Sequence, residues 1–223
     1  MWFESYDSAW PEMKPIKSVI PQWYKDAERF TGGKPVLVPF DNTALKLCTP
    51  FLDSLTSGYF IPLFQDVLVE QTPHGPLLSF RTSPAPISER ETFRNKTLPT
   101  PEGYWDKHYM WNTQTSFKLP NGYSALVVHP LNRMDLPFFS LSAVVDANFA
   151  MNSGSLPFFL SKNFEGIIPQ GTPIAQIIPF KREDWELQKK EGLVKEAEIT
   201  QKKAMSVVSG WYKNNFWNRK SYE

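Results

Sequence analysis

Short runs of β-favouring apolar residues, separated by turn residues, dominate the middle of the chain. Two runs cover residues 59–63 and 66–71, and the turn 72–76 connects them to a third run over residues 77–81. Runs of this length between proline, glycine and asparagine clusters are typical of strands, and the turn predicts a β-hairpin or meander. Further strands are predicted over residues 124–129, 138–146, 156–160 and 174–180.

Strict alternation of large and polar residues is clearest just before residue 118. Tyr109, Trp111, Thr113, Thr115 and Phe117 occupy every second position, so we expect them to share one face of a strand. The preceding stretch, residues 82–103, contains four prolines among polar residues and is predicted to be a long loop.

Helical signals occur mainly towards the two ends of the chain. One or two helical turns are predicted from Pro21, and a short helix is predicted with Thr49 as its N-cap and Gly58 just past its end. Beyond Arg182 the chain becomes rich in Lys, Glu and Gln, with spaced apolar residues. This pattern predicts one or two amphipathic helices interrupted near Gly192.

The predicted fold class is mainly β with a few helices. We expect a single β-rich domain over residues 1–182, followed by a helical, aromatic and basic C-terminal extension over residues 183–223. So aromatic an end must dock either on this chain or on a partner, and the side chains expected to make that contact are Trp211, Phe216 and Trp217.

Charge and composition exclude several classes of function. The 24 basic and 23 acidic residues give a net charge of +1, so there is no strong nucleic-acid signal. No stretch approaches the roughly 20 apolar residues of a membrane span, and we expect a cytosolic protein. The single cysteine, Cys48, is expected to be buried, and no histidine has a partner at metal-ligand spacing, so no metal site is expected.

Three segments carry a family resemblance by their order and spacing: Asn121–Arg133, Ala143–Phe149 and Ile168–Phe180. They resemble the dUTPase and dCTP-deaminase family, whose chains pass through a Gly-Tyr strand, a Pro-Arg-Ser turn, a Val-Ile-Asp-x-Asp-Tyr strand and an Ile-Ala-Gln strand. The resemblance implies a β-clip core over about residues 118–182 and a homotrimer with sites between subunits.

The same resemblance implies site residues. Asp146 matches the aspartate that holds the catalytic water, Phe149 matches the tyrosine that packs against deoxyribose, and Gln176 matches the glutamine of the Ile-Ala-Gln strand. Asn132 and Arg133 stand near the phosphate-binding turn, with His129 and Asp135 close by. A nucleotide enzyme of this kind would use Mg²⁺; otherwise no cofactor is expected.

Departures from the family pattern affect the residues that would bind phosphate. The Arg-Ser pair of the turn is replaced by Leu131-Asn132, the second aspartate by Asn148, and no glycine-rich C-terminal arm is present. From the residues alone, Asp146 is either a base or a carboxylate at a strand end. The residues His129, Arg133 and Asp135 form either a ligand-binding cluster or a structural ion pair.

A second resemblance extends over nearly the whole chain. The motifs at residues 20–26, 48–59, 129–138 and 171–176 are similar to those of a family of phage proteins found especially in phages of marine cyanobacteria. This resemblance implies that the protein acts in the cytoplasm of an infected bacterial host or in the virion.

The expected function is therefore a non-catalytic β-clip protein of a phage, with an assembly or interaction role as a virion component or a binder of a host factor. Two alternatives stay open: a nucleotide-directed enzyme like dUTPase or dCTP deaminase, and a protein that binds and sequesters a nucleotide. The sequence alone leaves open whether the protein is an enzyme.

Overall fold

The structure is a computed structural model that describes residues 1–36, 42–89, 99–148, 155–207 and 209–223. The strands are β1 (Trp2–Ser5), β2 (Lys14–Pro15), β3 (Tyr59–Pro62), β4 (Val67–Thr72), β5 (Gly75–Ser79), β6 (Ile87–Glu89), β7 (Tyr104–Asn112), β8 (Thr115–Lys118), β9 (Tyr123–Val128), β10 (Phe138–Ser140), β11 (Ala143–Val145), β12 (Ser155–Ser161), β13 (Gly166–Ile168) and β14 (Pro173–Lys181). The helices are α1 (Gln22–Asp26), α2 (Thr49–Thr56), α3 (Leu193–Met205) and α4 (Trp211–Asn215), with 3-10 turns at Ile16–Val19 and Leu45–Leu47. The prediction of a mainly β fold with a few helices is confirmed.

All strand pairs of the described chain are antiparallel and form four sheets. A five-stranded sheet has the order β11-β9-β14-β3-β2, and a four-stranded sheet has the order β10-β12-β7-β6. The strands β13, β4 and β5 form a third sheet, and β1 pairs with β8 alone. The sheets therefore depend on pairings between residues far apart in the sequence.

Contacts group the chain into two compact units. Unit 1 comprises residues 1–19, residues 58–182 and Glu223, and unit 2 comprises residues 20–57 and 183–222. One boundary follows Arg182, where the composition changes, whereas residues 20–57 group with the C-terminal segment. The domain division predicted from the sequence stays a prediction.

The core of unit 1 is built from aromatic and aliphatic side chains of neighbouring sheets. Trp111 of β7 is fully buried and stacks on Phe158 of β12, with ring centroids 3.8 Å apart and planes 11° apart. The central strand β14 is buried over Pro173–Ile177 because β9 and β3 pair with its two edges and both of its faces are covered. These buried strands fix the positions of the loops that leave their ends.

Several predicted strands are present in the structure, but their boundaries differ from the predicted ones. The hairpin β4–β5 lies where the turn 72–76 predicts it. The alternating residues from Tyr109 to Phe117 are all buried, although the first two belong to β7, the last two to β8, and Thr113 lies between the strands. The predicted strand 138–146 is instead two strands in different sheets, β10 and β11, and β6 lies within the predicted loop.

Unit 2 contains the four α-helices that the structure describes. Tyr24 of α1 stacks on Phe51 of α2, and the indole N–H of Trp217 donates to the Asp53 carboxylate of α2 at 2.9 Å. The C-terminal tail thus docks on this chain through Trp217. Helix α2 begins one residue earlier than predicted, with Cys48 as its N-cap, and the prediction that Cys48 is buried is wrong because the thiol is exposed.

Candidate functional site

The loop between β9 and β10, residues 129–137, contains four of the predicted site residues. Its path is set by two consecutive turns, in which the Arg133 N–H donates to the Pro130 carbonyl at 3.1 Å and the Leu136 N–H donates to the Arg133 carbonyl at 3.2 Å. Within the first turn, Asn132 has a φ of +58°, a conformation that asparagine tolerates better than most residues. The loop is therefore a defined surface structure.

His129 uses both ring nitrogens to hold this loop. Its Nδ1 accepts a hydrogen bond from the Ser140 N–H at 3.3 Å, so the proton is on Nε2, which donates to the Arg133 carbonyl at 3.1 Å. Burial is the main reason why the pKa of His129 is lowered, and the positive charge of Arg133 lowers this pKa further. The hydrogen bond to the Arg133 carbonyl and the charge of Asp135 raise the pKa, but they do not outweigh the burial. The imidazole is a neutral connector between the loop and β10.

This arrangement predicts that stability decreases when the pH is lowered. Below about pH 6.5 the unfolded imidazole takes up a proton while the folded one resists it, so the unfolded state is favoured, by at most about 1.4 kcal/mol per pH unit. Burial also lowers the pKa of His108, which acts in the same direction. Urea unfolding measures the free energy of unfolding at about pH 7.5 and about pH 5. Between these two pH values His129→Asn, which retains His108, should lose less of this free energy than the wild type. An equal loss in the two proteins would contradict the role of His129.

The guanidinium of Arg133 is engaged within the chain. Its Nε donates to Asp135 Oδ1 at 2.9 Å, its Nη2 donates to Asp135 Oδ2 at 2.9 Å, and its Nη1 donates to the Val19 carbonyl at 3.2 Å. Only 12% of the Arg133 side chain is exposed. A bidentate pair of this kind holds the arginine in one orientation, so the residues Arg133 and Asp135 act together as a clamp on the loop.

Gln176 supports the loop from the interior of the sheet. Its side chain is fully buried on β14, and its Oε1 accepts a hydrogen bond from the Leu131 N–H at 2.8 Å. A buried amide in an apolar strand is stable only when its polar atoms are paired. The pairing explains why a polar residue interrupts the apolar run of β14.

Asp146 lies at the other end of the five-stranded sheet. Gln176 pairs with Val128, whereas Ser124, whose hydroxyl donates to Asp146 Oδ1, pairs with Phe180. These two pairs are four residues apart along the strands, and at about 3.3 Å per residue they are separated by roughly 13 Å. The structure thus brings His129, Arg133, Asp135 and Gln176 together and keeps Asp146 apart from them, while Phe149 lies outside the described residues.

The surroundings of Asp146 are those of a surface carboxylate. Among the described residues it contacts the Ser124 hydroxyl and Arg182, whose Nη1 lies 3.6 Å from Oδ2. The two side chains are 61% and 43% exposed, and ion pairs with this exposure contribute little to stability. Neither Ser124 nor Arg182 was identified from the sequence, because the contacts depend on strand register.

Unit 1 contains a cavity of about 400 Å³, and some of the residues that line it are close in sequence to the predicted site residues. Its walls include Trp2, Lys118, Asn121 and Asn148. The side chains of these four residues form no hydrogen bond or ion pair with any other residue that the structure describes. No motif pointed to this cavity, since its walls come from the N-terminal strand, from the end of β8 with the turn that follows it, and from Asn148.

In the ranges that the structure describes, no group of three or more His, Cys, Asp and Glu side chains could hold a metal ion. In the same ranges, no helix combines the length and the apolar character needed to cross a bilayer. The expected lack of a cofactor, and Mg²⁺ use by a nucleotide enzyme, stay predictions.

Comparison with known proteins gives structural neighbours only. No protein-family model matches the chain, and no curated protein matches it. A mutant dUTPase from phage phi11 of S. aureus is 14% identical over 61% of this chain and 84% of its own, with a TM-score of 0.33. A mutant dUTPase from Staphylococcus bacteriophage 80alpha is 13% identical over 61% and 83%, with a TM-score of 0.32.

A third neighbour is the 2′-deoxycytidine 5′-triphosphate deaminase from Agrobacterium tumefaciens. It is 12% identical over 83% of this chain and 52% of its own, with a TM-score of 0.35. Similarity at this level transfers no site residue and no activity. The chain is a mainly β protein that distantly resembles phage dUTPases and a dCTP deaminase.

Proposed function

We propose that the protein is a non-catalytic phage protein with an assembly role, and that copies of the chain contact one another through the loop of residues 129–137. The observation that carries this proposal is the engagement of Arg133 by Asp135 and by the Val19 carbonyl. A guanidinium held in this way is committed to the loop, whereas a phosphate site needs its donors directed at the ligand.

The loop has the properties of a rigid contact surface. Its polar supports His129, Arg133 and Gln176 are buried or half-buried, yet Met134 in the loop is 81% exposed and Phe139, just beyond it, is 39% exposed. The Phe139 ring lies 5.1 Å from the His129 ring, which helps to fix it. Apolar side chains that are already held in place lose little conformational entropy when a partner covers them, and methionine adapts to many surfaces.

Self-association fits the charge of the chain. A net charge of +1 gives only weak long-range repulsion between copies. Unit 1 also exposes large apolar side chains elsewhere in its described residues, and these extend the apolar surface available for a contact: Trp2, Phe3, Tyr6, Leu68, Leu77, Phe80, Tyr123, Val144 and Phe180. Together with Met134 and Phe139 they supply the apolar surface that an interface between copies needs.

Met134→Asp is expected to weaken self-association at least tenfold, or about 1.4 kcal/mol, because a carboxylate would have to be desolvated in the contact. Sedimentation equilibrium of the full chain measures this change. The matched control is Ile167→Asp, which also adds a charge at an exposed apolar position, 58% exposed on β13.

Two results would contradict the proposal. A wild-type chain that sediments as a monomer over the whole concentration range would exclude self-assembly. Equal weakening by Met134→Asp and Ile167→Asp, with both variants folded by circular dichroism, would exclude the loop as the contact. A virion component or a host-factor binder would then need a different surface.

A second candidate function, nucleotide binding, is favoured by the cavity beside Trp2. An indole can stack on a base, the amides of Asn121 and Asn148 can pair with its edge, and the Lys118 ammonium can approach a phosphate. All four side chains lack partners among the described residues. This arrangement would suit a nucleotide-sequestering protein, or an enzyme if Asp146 holds water.

A thermal-shift screen with deoxynucleotides and ribonucleotides tests this candidate. A nucleotide at about 100 times its Kd should add about 2.7 kcal/mol, roughly 5–10 °C for a chain of this size. The shift should disappear in the double variant Asn121→Ala, Asn148→Ala and persist in Arg133→Ala. Turnover that Asp146→Asn abolishes would indicate an enzyme, whereas no shift with any nucleotide would remove the candidate.

A further inference from the structure

Unit 2 contains a cavity of about 530 Å³ that neither the predicted site residues nor the proposed assembly role uses. One wall is the segment from Thr43 to Pro50, and the opposite wall is formed by the C-terminal end of α3 and by α4. Its volume lies within the range of roughly 300–1,000 Å³ that is usual for small-molecule sites. The cavity is therefore large enough for a small organic molecule.

The walls are mainly apolar. Leu45, Leu47, Pro50, Ala204 and Trp211 contribute aliphatic and aromatic surface to it. Burying a hydrocarbon chain against such walls is favourable in proportion to the apolar area removed from water. The body of a fitting ligand is accordingly a hydrocarbon.

The charge at the cavity is positive. Lys213 is the one charged side chain among the described residues that line it, and its Nζ lies 6.0 Å from the centre of the Trp217 ring. Helix α2 also begins at this wall, and the side chain of its N-cap, Cys48, makes no capping hydrogen bond. The partial positive charge of a helix N-terminus adds to that of the lysine.

The helical wall is held in place by contacts with α2. The Trp217 indole donates to both carboxylate oxygens of Asp53, at 2.9 Å and 3.1 Å, and Lys220 pairs with the same carboxylate. Because these groups already order the chain after α4, a ligand would meet a preformed wall and lose less affinity to ordering.

From the apolar walls and the single cation we propose that this cavity binds an amphiphilic carboxylate, a hydrocarbon chain with one anionic head group at Lys213. Helix α2 contributes its N-terminal end, and the hydrocarbon lies between Leu45, Ala204 and Trp211. This assignment is independent of the assembly role proposed above.

Cys48 provides a direct readout, since it is the only cysteine of the chain, its thiol is exposed, and it lines the cavity. Dodecanoate below its micelle concentration should slow alkylation of Cys48 by N-ethylmaleimide in a saturable manner. N-Ethylmaleimide is uncharged, so its own approach does not depend on Lys213. Dodecan-1-ol lacks the carboxylate, so the apparent Kd at which it protects Cys48 should be at least about tenfold higher than that of dodecanoate.

Two variants locate the head group and the chain. Lys213→Met should weaken dodecanoate about tenfold and abolish its advantage over dodecan-1-ol, while Lys202→Met, a loss of an exposed lysine that does not line the cavity, should behave as wild type. Leu45→Asp puts a carboxylate on an exposed wall position and should weaken dodecanoate more than dodecan-1-ol.

The proposal is overturned by three results. Alkylation of Cys48 at the same rate with and without either amphiphile would show that the cavity does not bind them. Equal protection by dodecanoate and dodecan-1-ol would remove the anionic head group. Protection that neither Lys213→Met nor Leu45→Asp changes would put the ligand elsewhere. Isothermal titration of the full chain checks each affinity independently of Cys48.

Discussion

Gly58→Ala should destabilise the folded protein by more than about 4 kcal/mol, because two separate penalties coincide at this position. Gly58 has a φ of +82°, which alanine adopts only at a cost of roughly 1–2 kcal/mol. In addition, a Cβ at Gly58 would lie 2.1 Å from the Ile177 carbonyl oxygen. That oxygen belongs to the central strand β14, which is paired on both edges and cannot move away.

Gly122→Ala is the matched control for the steric part of this prediction. Gly122 has a φ of +83°, almost the same as Gly58, but a Cβ there would meet nothing within 4 Å. We expect Gly122→Ala to cost roughly 1–2 kcal/mol in urea unfolding, and Gly58→Ala to leave little folded protein. Similar losses in both variants would mean that the backbone conformation, and not the contact with β14, limits residue 58.

Trp111→Ala should cost about 4 kcal/mol of unfolding free energy, the second large effect. The ring is fully buried, stacks on Phe158 and meets the edge of Phe138 at 4.8 Å. Its indole N–H also donates to the Ser140 hydroxyl at 3.1 Å, and that hydroxyl donates to the Ile174 carbonyl. Truncation therefore leaves a cavity and a polar group that has lost a partner.

Trp111→Phe separates packing from hydrogen bonding. A phenyl ring retains most of the stacking on Phe158 but cannot donate to Ser140, so we expect a loss of roughly 1–3 kcal/mol, clearly smaller than for alanine. Chemical denaturation of the three proteins at one pH measures the series. Equal losses for phenylalanine and alanine would show that the hydrogen bond to Ser140, and not ring packing, dominates at this position.

Local sequence patterns predicted the elements whose partners are close in the chain. The turn at residues 72–76 predicted the hairpin β4–β5, and Pro50 predicted the start of α2 within one residue. By contrast, β6 and β13 are three-residue strands that exist because β7 and β4 offer free edges to them. The division of residues 138–146 into β10 and β11 likewise depends on β12 and β9, which no window of neighbouring residues contains.

The sequence named residue types for a candidate site, and their role in binding a ligand stays a prediction. His129, Arg133, Asp135 and Gln176 do lie together, yet their hydrogen bonds join them to the loop and to one another. The partner of Gln176, the Leu131 N–H, is 45 residues away in the sequence, so the residue type alone could not tell a ligand contact from an internal support. The cavities beside Trp2 and Lys213 escaped prediction because residues distant in sequence line them.

The pairing of β3 with β14 has a consequence for synthesis of the chain. Tyr59 pairs with Ile177, so β3 leaves the ribosome more than a hundred residues before its partner strand. At roughly 5–20 residues per second, β3 waits on the order of 6–24 s without that partner. During this interval the apolar residues Phe60 and Ile61 lack the partner strand that covers them, so we expect the nascent chain to be most prone to aggregation before β14 is made.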